Sequence, residues 1–226
     1  MLTTMPPQLS AHLASDVQQR GFSWRRKAWE TALHDDQPSL DLLHRLGDKM
    51  DRESTRVVVL EELSSGRVVP AFAAAMVWGY GTVSYGPERV RWVLTGVRGK
   101  ASASAAIEPE VREKLATGAA VARQQGPVEG FRRMNNDGKV AYLGGAFFTK
   151  WLYFTTAIAG IADPNAAPIL DAQVATWLRA NGVATLNVNK TPGYQQYLGI
   201  LRDWGQQVDR APAQVEAGIF HLATGR

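Results

Sequence analysis

The chain has no cysteine among its 226 residues. That excludes disulfides, thiolate zinc sites and cysteine-ligated iron–sulfur clusters, and it suits a reducing, cytoplasmic setting. The four histidines (His12, His34, His44 and His221) are scattered and lack the spacing of a zinc hydrolase, so no metal and no cofactor are expected. No apolar run is long enough to cross a bilayer. The longest, Val68–Tyr80, is interrupted by Pro70 and Gly79. Residues 1–21 are polar and contain proline, without the apolar core of a secretory leader. Runs of five or six like charges, internal repeats and low-complexity segments are all missing.

What remains is an ordinary globular composition, 45% apolar, with a net charge of +4. The length allows one large domain or two small lobes around an ample core. The basic balance suits an anionic partner without identifying one.

Helical spacing of apolar residues runs through most of the chain. In the amino-terminal half it predicts helices over Trp24–Leu33, Leu40–Met50, Arg56–Leu63, Val68–Trp78 and Glu88–Thr95. The β-branched run Val57–Val59 sits in the third of these, but Leu60 and Leu63 continue the helical register. Between Trp78 and Pro87 lies a loop with three glycines and two tyrosines, Tyr80 and Tyr85. It reads either as a plain connection or as one wall of a ligand pocket, and no strand precedes it as a dinucleotide fingerprint would require. Residues 96–106 are small and polar and read as a linker. Helices follow over Pro109–Gln124 and Val128–Met134, then a turn at Asn135–Gly138. Later segments are Gly193–Val208, opened by Thr191 as cap, and Ala213–Leu222. Val183–Val188 is left irregular. The fold expected is all-α, a two-lobed helical bundle over residues 22–100 and 107–226, acting as one unit over 1–226.

The most informative stretch is residues 139–173. A helix from Lys139 breaks at Gly144-Gly145. Apolar spacing restarts at Phe147 and runs to Ile158, Gly160, Asp163 and Pro164 stop it, and a further helix from about Ile169 carries Asp171 near its start. Lys150 sits in the first turn of the second helix among Phe147, Phe148, Trp151 and Leu152, where the helix dipole disfavours a cation. Two readings compete. Lys150 snorkels to solvent and Asp171 is an ordinary cap. Otherwise, burial and the helix terminus yield a nucleophilic amine with Asp171 as its partner.

The segments Leu143-Gly-Gly-Ala-Phe-Phe-Thr-Lys150 and Ile169-Leu-Asp171-Ala-Gln resemble the hairpin and aspartate loop of the helix-hairpin-helix DNA glycosylases. The likeness is nearest to 8-oxoguanine glycosylases and their bacterial OGG-like relatives. Phe148 stands where the family hairpin usually has a second glycine, and Gln173 where it often has a histidine. The resemblance implies a monomeric, nucleoid-associated enzyme of the bacterial cytoplasm that acts on double-stranded DNA containing a damaged or modified base. It assigns Lys150 as the nucleophile at the sugar C1′, with possible strand cleavage by a lyase step, and Asp171 as its assistant. The Gly144-Gly145 hairpin would then grip phosphate with Thr149, aided by Lys139, Arg132 and Arg133, each of which could equally be a solvated charge. The extruded base would meet aromatic rings, for which the candidates are Phe154, Trp151, Tyr80, Tyr85, Phe220 and Trp204; for Trp204 and Phe220 core packing is the competing role. The favoured base is 8-oxoguanine. The alternatives are a modified pyrimidine such as those of phage DNA, and a non-catalytic DNA-binding module.

Overall fold

The computed structural model describes residues 4–15 and 19–225. Residues 1–3 and 16–18 of the polar segment 1–21 lie outside them. Among the described residues the chain is all-α. Its helices are α1 (Pro7–Leu13), α2 (Arg26–Ala32), α3 (Gln37–Arg45), α4 (Arg52–Ser64), α5 (Val68–Tyr80), α6 (Gly86–Thr95), α7 (Pro109–Gln125), α8 (Pro127–Asn135), α9 (Gly145–Thr156), α10 (Ala172–Ala180), α11 (Thr191–Val208) and α12 (Pro212–Thr224). No described helix is long and apolar enough to cross a membrane.

The bundle is built around α5 and α9. Helix α5 is apolar on all sides, and that composition fits a helix enclosed by neighbours. It packs on α3, α4, α6, α7 and α9, and only Val68 and Gly79 keep partial exposure. Helix α9 is buried from Phe148 to Thr156 and rests against α4, α5, α7 and α8. One continuous apolar core joins these layers, and the amino-terminal α1 completes it by packing on α12. Side-chain caps set several starts. Asp36 accepts from the Ser39 N–H, Asp51 and Ser54 form a reciprocal capping box, and Asp171 caps α10.

The structure corrects several expected boundaries. Lys139 does not begin a helix. Residues 136–144 form a turning connection in which Tyr142 adopts φ 63°, a left-handed conformation that interrupts a right-handed helix. The helix before α9 is therefore α8, and α9 starts at Gly145 and ends at Thr156, short of Ile158. The glycine-rich loop is shorter than its sequence suggests. Helix α5 continues through Gly79 to Tyr80, and the chain turns only at Gly81, with φ 57°. Helix α3 stops at Arg45, because Lys49–Met50 pairs antiparallel with Phe22–Ser23. Helix α10 starts at Ala172, and Lys190, not Thr191, occupies the cap position of α11.

Candidate active site

Two elements meet at Lys150. Its carbon stem leaves the first turns of α9 and runs along Gly79 of α5, where a Cβ would lie 3.0 Å from Lys150 Cδ. A side chain at position 79 would occupy the lysine's path, so the helical glycine leaves a channel for it. At the end of that channel Lys150 Nζ donates to Asp171 Oδ2 at 3.0 Å and to the Ala146 carbonyl at 3.1 Å. Lys150 is 7% exposed and Asp171 9%. The lysine does not snorkel into solvent; it is drawn into an ion pair.

Asp171 is held from three directions. Its other oxygen, Oδ1, accepts from the N–H groups of Gln173 and Val174 at the start of α10. The extended segment before it is tied down by Tyr194 and Tyr197 of α11, whose hydroxyls donate to the carbonyls of Pro168 (2.9 Å) and Ile169 (2.8 Å). Burial pushes both phenols up, so they remain donors. From α9, Thr149 Oγ1 donates to Gly145 O and accepts from the Leu170 N–H. Burial alone would raise the Asp171 carboxyl, but the Lys150 ammonium and the N–H groups of α10 outweigh it, and the net shift is downward. Asp171 is therefore a fixed anion.

The aromatic residues named from sequence separate into two groups. Tyr80 stacks on Phe147 (centroids 4.2 Å, 22°), Tyr85 meets Tyr80 edge-on at 5.8 Å, and Lys150 Nζ lies 5.4 Å from the Phe147 ring centre. Tyr80, Tyr85 and Phe147 thus form a wall beside the amine. Trp151, Phe154 and Trp204 are enclosed in the core, each 0% exposed. Trp151 packs edge-on against Phe72 and donates to the Leu115 carbonyl, and Phe154 packs edge-on against Trp78. None of these three presents a ring face to a ligand in this conformation.

Phe220 lies elsewhere, on a cleft of about 780 Å³ lined also by Arg52, Tyr153, Arg210, His12 and His221. Lys150 and Asp171 are not among its lining residues. The link between cleft and amine is a buried pair that sequence reasoning missed. Arg52 Nη1 and Nη2 grip Glu216 Oε2 and Oε1 at 2.6 and 3.0 Å, and the guanidinium also lies over the rings of Trp78 and Tyr153. Burial raises the Glu216 carboxyl; Arg52 opposes that, Asp171 adds to it and Lys150 opposes it, so the two pairs sense each other.

The residues expected to hold phosphate are also divided. Lys139, Gly144 and Gly145 come together with Asn135, Asn189 and Lys190 around a recess of about 370 Å³ at the amino terminus of α9. Gly145 is required there, since a Cβ would come within 2.9 Å of the Val188 carbonyl. Arg132 instead pairs with Glu129, and Arg133 lies 3.8 Å from Asp137. Thr149 is a correction: its side chain is fully buried and its hydroxyl serves Gly145 and Leu170, so it cannot reach a phosphate. Among the described residues no group of three or more His, Asp or Glu side chains could hold a metal ion.

Residues 15–220 match the model of the family described as "Putative 8-oxoguanine DNA glycosylase OGG-like protein". No curated protein and no solved structure matches the chain.

Proposed function

The chain belongs to this OGG-like family, and on that premise we propose that it is a DNA glycosylase with Lys150 as nucleophile and Asp171 as its partner. The observation that carries the reading is the buried Lys150–Asp171 contact of 3.0 Å at the start of α9. An ion pair placed there for stability alone is a poor bargain, because desolvating two charges offsets most of their attraction. A pair that does chemistry has a reason to be buried.

A base within a duplex is inaccessible, so it must first be extruded at a cost of a few kcal/mol. Phe147, partly exposed beside the amine and backed by the buried Tyr80 ring, offers a neutral surface on which a flat purine stacks. Attack requires a lone pair on Nζ, and the acceptor nearest for its proton is Asp171 Oδ2. The Nζ–C1′ bond then forms as the C1′–base bond breaks, and the base leaves with the electron pair and takes up a proton. That proton is the one Asp171 took from Nζ, and as Asp171 hands it to the leaving base its restored carboxylate charge stabilises the cationic sugar at the transition state. Ring opening gives a Schiff base. Loss of the C2′ proton and departure of the 3′ phosphate then cut the strand. The recess at the start of α9 holds the DNA, with backbone N–H groups and Lys139 and Lys190 facing phosphate.

The substrate we assign is 8-oxoguanine. An alkylated, cationic base would call for carboxylates, whereas the wall beside Lys150 is neutral. Oxidised guanine differs from guanine by an added N–H and carbonyl, and one backbone acceptor in the turn 81–85 suffices to select it. The test is base release from matched duplexes carrying 8-oxoguanine, an alkylated purine or a modified cytosine. Preferred release of either of the last two overturns the substrate, and no release from any overturns the enzyme.

A further inference from the structure

A second surface lies along α6, next to the wall beside Lys150 and, apart from Tyr85, outside the residues assigned above. Tyr85, Arg89 and Trp92 recur at spacings of four and three, which places them on one helix face. The Arg89 guanidinium lies 5.5 Å from the Trp92 ring centre and 5.7 Å from that of Tyr142, and Arg98 lies 5.5 Å from Trp92. Trp92 and Tyr142 meet edge-on at 6.0 Å. Two cations thus share one indole, and neither Arg89 nor Arg98 has a carboxylate partner among the described residues, so both charges stay unneutralised beside the ring. The Trp92 indole N–H has no acceptor among the described residues. Tyr142, which completes the cluster, is held in the left-handed region at φ 63°, a conformation that costs a tyrosine energy and places its ring against α6.

The cluster also joins two places already described. Through Tyr85 it continues into the Tyr80–Phe147 wall beside Lys150. Through Tyr142 it continues into the connection that ends at the Gly144-Gly145 recess. Unneutralised guanidinium groups interleaved with half-exposed aromatic rings are the chemistry of a nucleic-acid surface: the cations take phosphates, and the rings and guanidinium planes stack on bases that have lost their pairing. We infer that the Arg89–Trp92–Arg98–Tyr142 stripe binds an unpaired nucleotide of the DNA and its flanking phosphates, outside the reaction pocket. The inference rests on the DNA reading of the Lys150 site.

The test is binding without chemistry. Affinity is measured by fluorescence anisotropy over a salt series, for a duplex with a stable abasic analogue and for the same duplex with one added unpaired nucleotide. In the Arg89→Gln/Arg98→Gln variant the slope of log Kd against log salt should fall by about 1.8, close to 0.9 for each phosphate that is no longer neutralised. An Arg89→Lys/Arg98→Lys variant should keep the slope. Trp92→Ala should weaken binding of the DNA with the unpaired nucleotide on the order of tenfold, and of the other duplex less, with Trp92→Phe restoring it. A wild-type slope in the Gln variant, with circular dichroism unchanged, overturns the inference. So does tighter binding of RNA than DNA at this stripe. Failure of the wild-type chain to bind any DNA would instead refute the reading of the Lys150 site itself.

Discussion

Gly79→Ala separates stability from chemistry at the proposed nucleophile. The new methyl would sit 3.0 Å from Lys150 Cδ, 3.8 Å from Lys150 Cε and 3.7 Å from Phe147 Cδ1. Carbon atoms pack comfortably at about 3.5–4.0 Å, so the lysine stem must move by about 0.5 Å. Nζ is held by two bonds of 3.0 and 3.1 Å, and that movement takes them to the limit of hydrogen bonding. Displacement of a reacting atom by a fraction of an ångström to an ångström costs on the order of 10- to 100-fold in rate. The backbone contribution runs the other way and offsets the strained Lys150 contacts, since Gly79 is helical with no positive φ, and alanine improves a helix interior by about 0.5–1 kcal/mol over glycine. A change of that size moves the midpoint of a chain of this length by about 1–4 °C. The assay pairs thermal unfolding with single-turnover base release at saturating enzyme. The expected result is an equal or raised midpoint with release slowed at least tenfold. Wild-type release in a stable Gly79→Ala protein would refute the claim that the channel beside α5 fixes the reactive amine.

Other perturbations follow from the same geometry. Asp171→Asn keeps the cap on α10 but removes the charge, so release should slow by about 100-fold or more, against a stability loss of about 1–3 kcal/mol. The pH dependence has a definite sign. The Asp171 carboxyl is shifted down, so its contribution is present above the ordinary carboxylate value and is lost as pH falls through the lower folded value. The stability gap between wild type and Asp171→Asn, read from urea titrations, should therefore close below about pH 4. Arg52→Met strands the buried Glu216 carboxylate and should cost about 3–5 kcal/mol, most of it recovered in Arg52→Met/Glu216→Leu. Tyr197→Phe removes one hydrogen bond to the segment before Asp171; it should lower stability by about 1 kcal/mol and slow release more than that loss implies, and equal effects on folding and rate would contradict its positioning role.

The sequence carried the helical class because periodicity is local, and it carried Lys150 and Asp171 because their setting is local too. A cation near the start of an aromatic helix is out of place, although α9 begins two residues earlier than the spacing suggested and Lys150 falls in its second turn, and a carboxylate before Ala172 is a visible cap. Gly79 misled because two glycines in three residues resemble a turn. Only Gly81 needs a positive φ, and Gly79 is small for the sake of Lys150, a residue 71 positions away that no local pattern reveals. The Lys139 helix failed for a related reason: apolar spacing over Val140–Leu143 is compatible with a helix, and the left-handed turn at Tyr142 is set by packing against Trp92. Arg52 and Glu216 stand 164 positions apart and were invisible as a pair. The aromatic residues were the least legible, because the same ring type serves core and surface. Trp151, Phe154 and Trp204 are enclosed in the core, while Phe147, named from sequence only as a neighbour of Lys150, lies beside the amine.

The most direct measurement is borohydride trapping on duplex DNA containing 8-oxoguanine, followed by mass mapping of the adduct. A Lys150 nucleophile predicts one covalent complex, with the DNA-derived sugar on the peptide carrying Lys150, and none from Lys150→Gln, even though that variant keeps most of its DNA affinity because phosphate contacts dominate binding. An adduct on another residue, or base release that persists undiminished in Lys150→Gln, would contradict it.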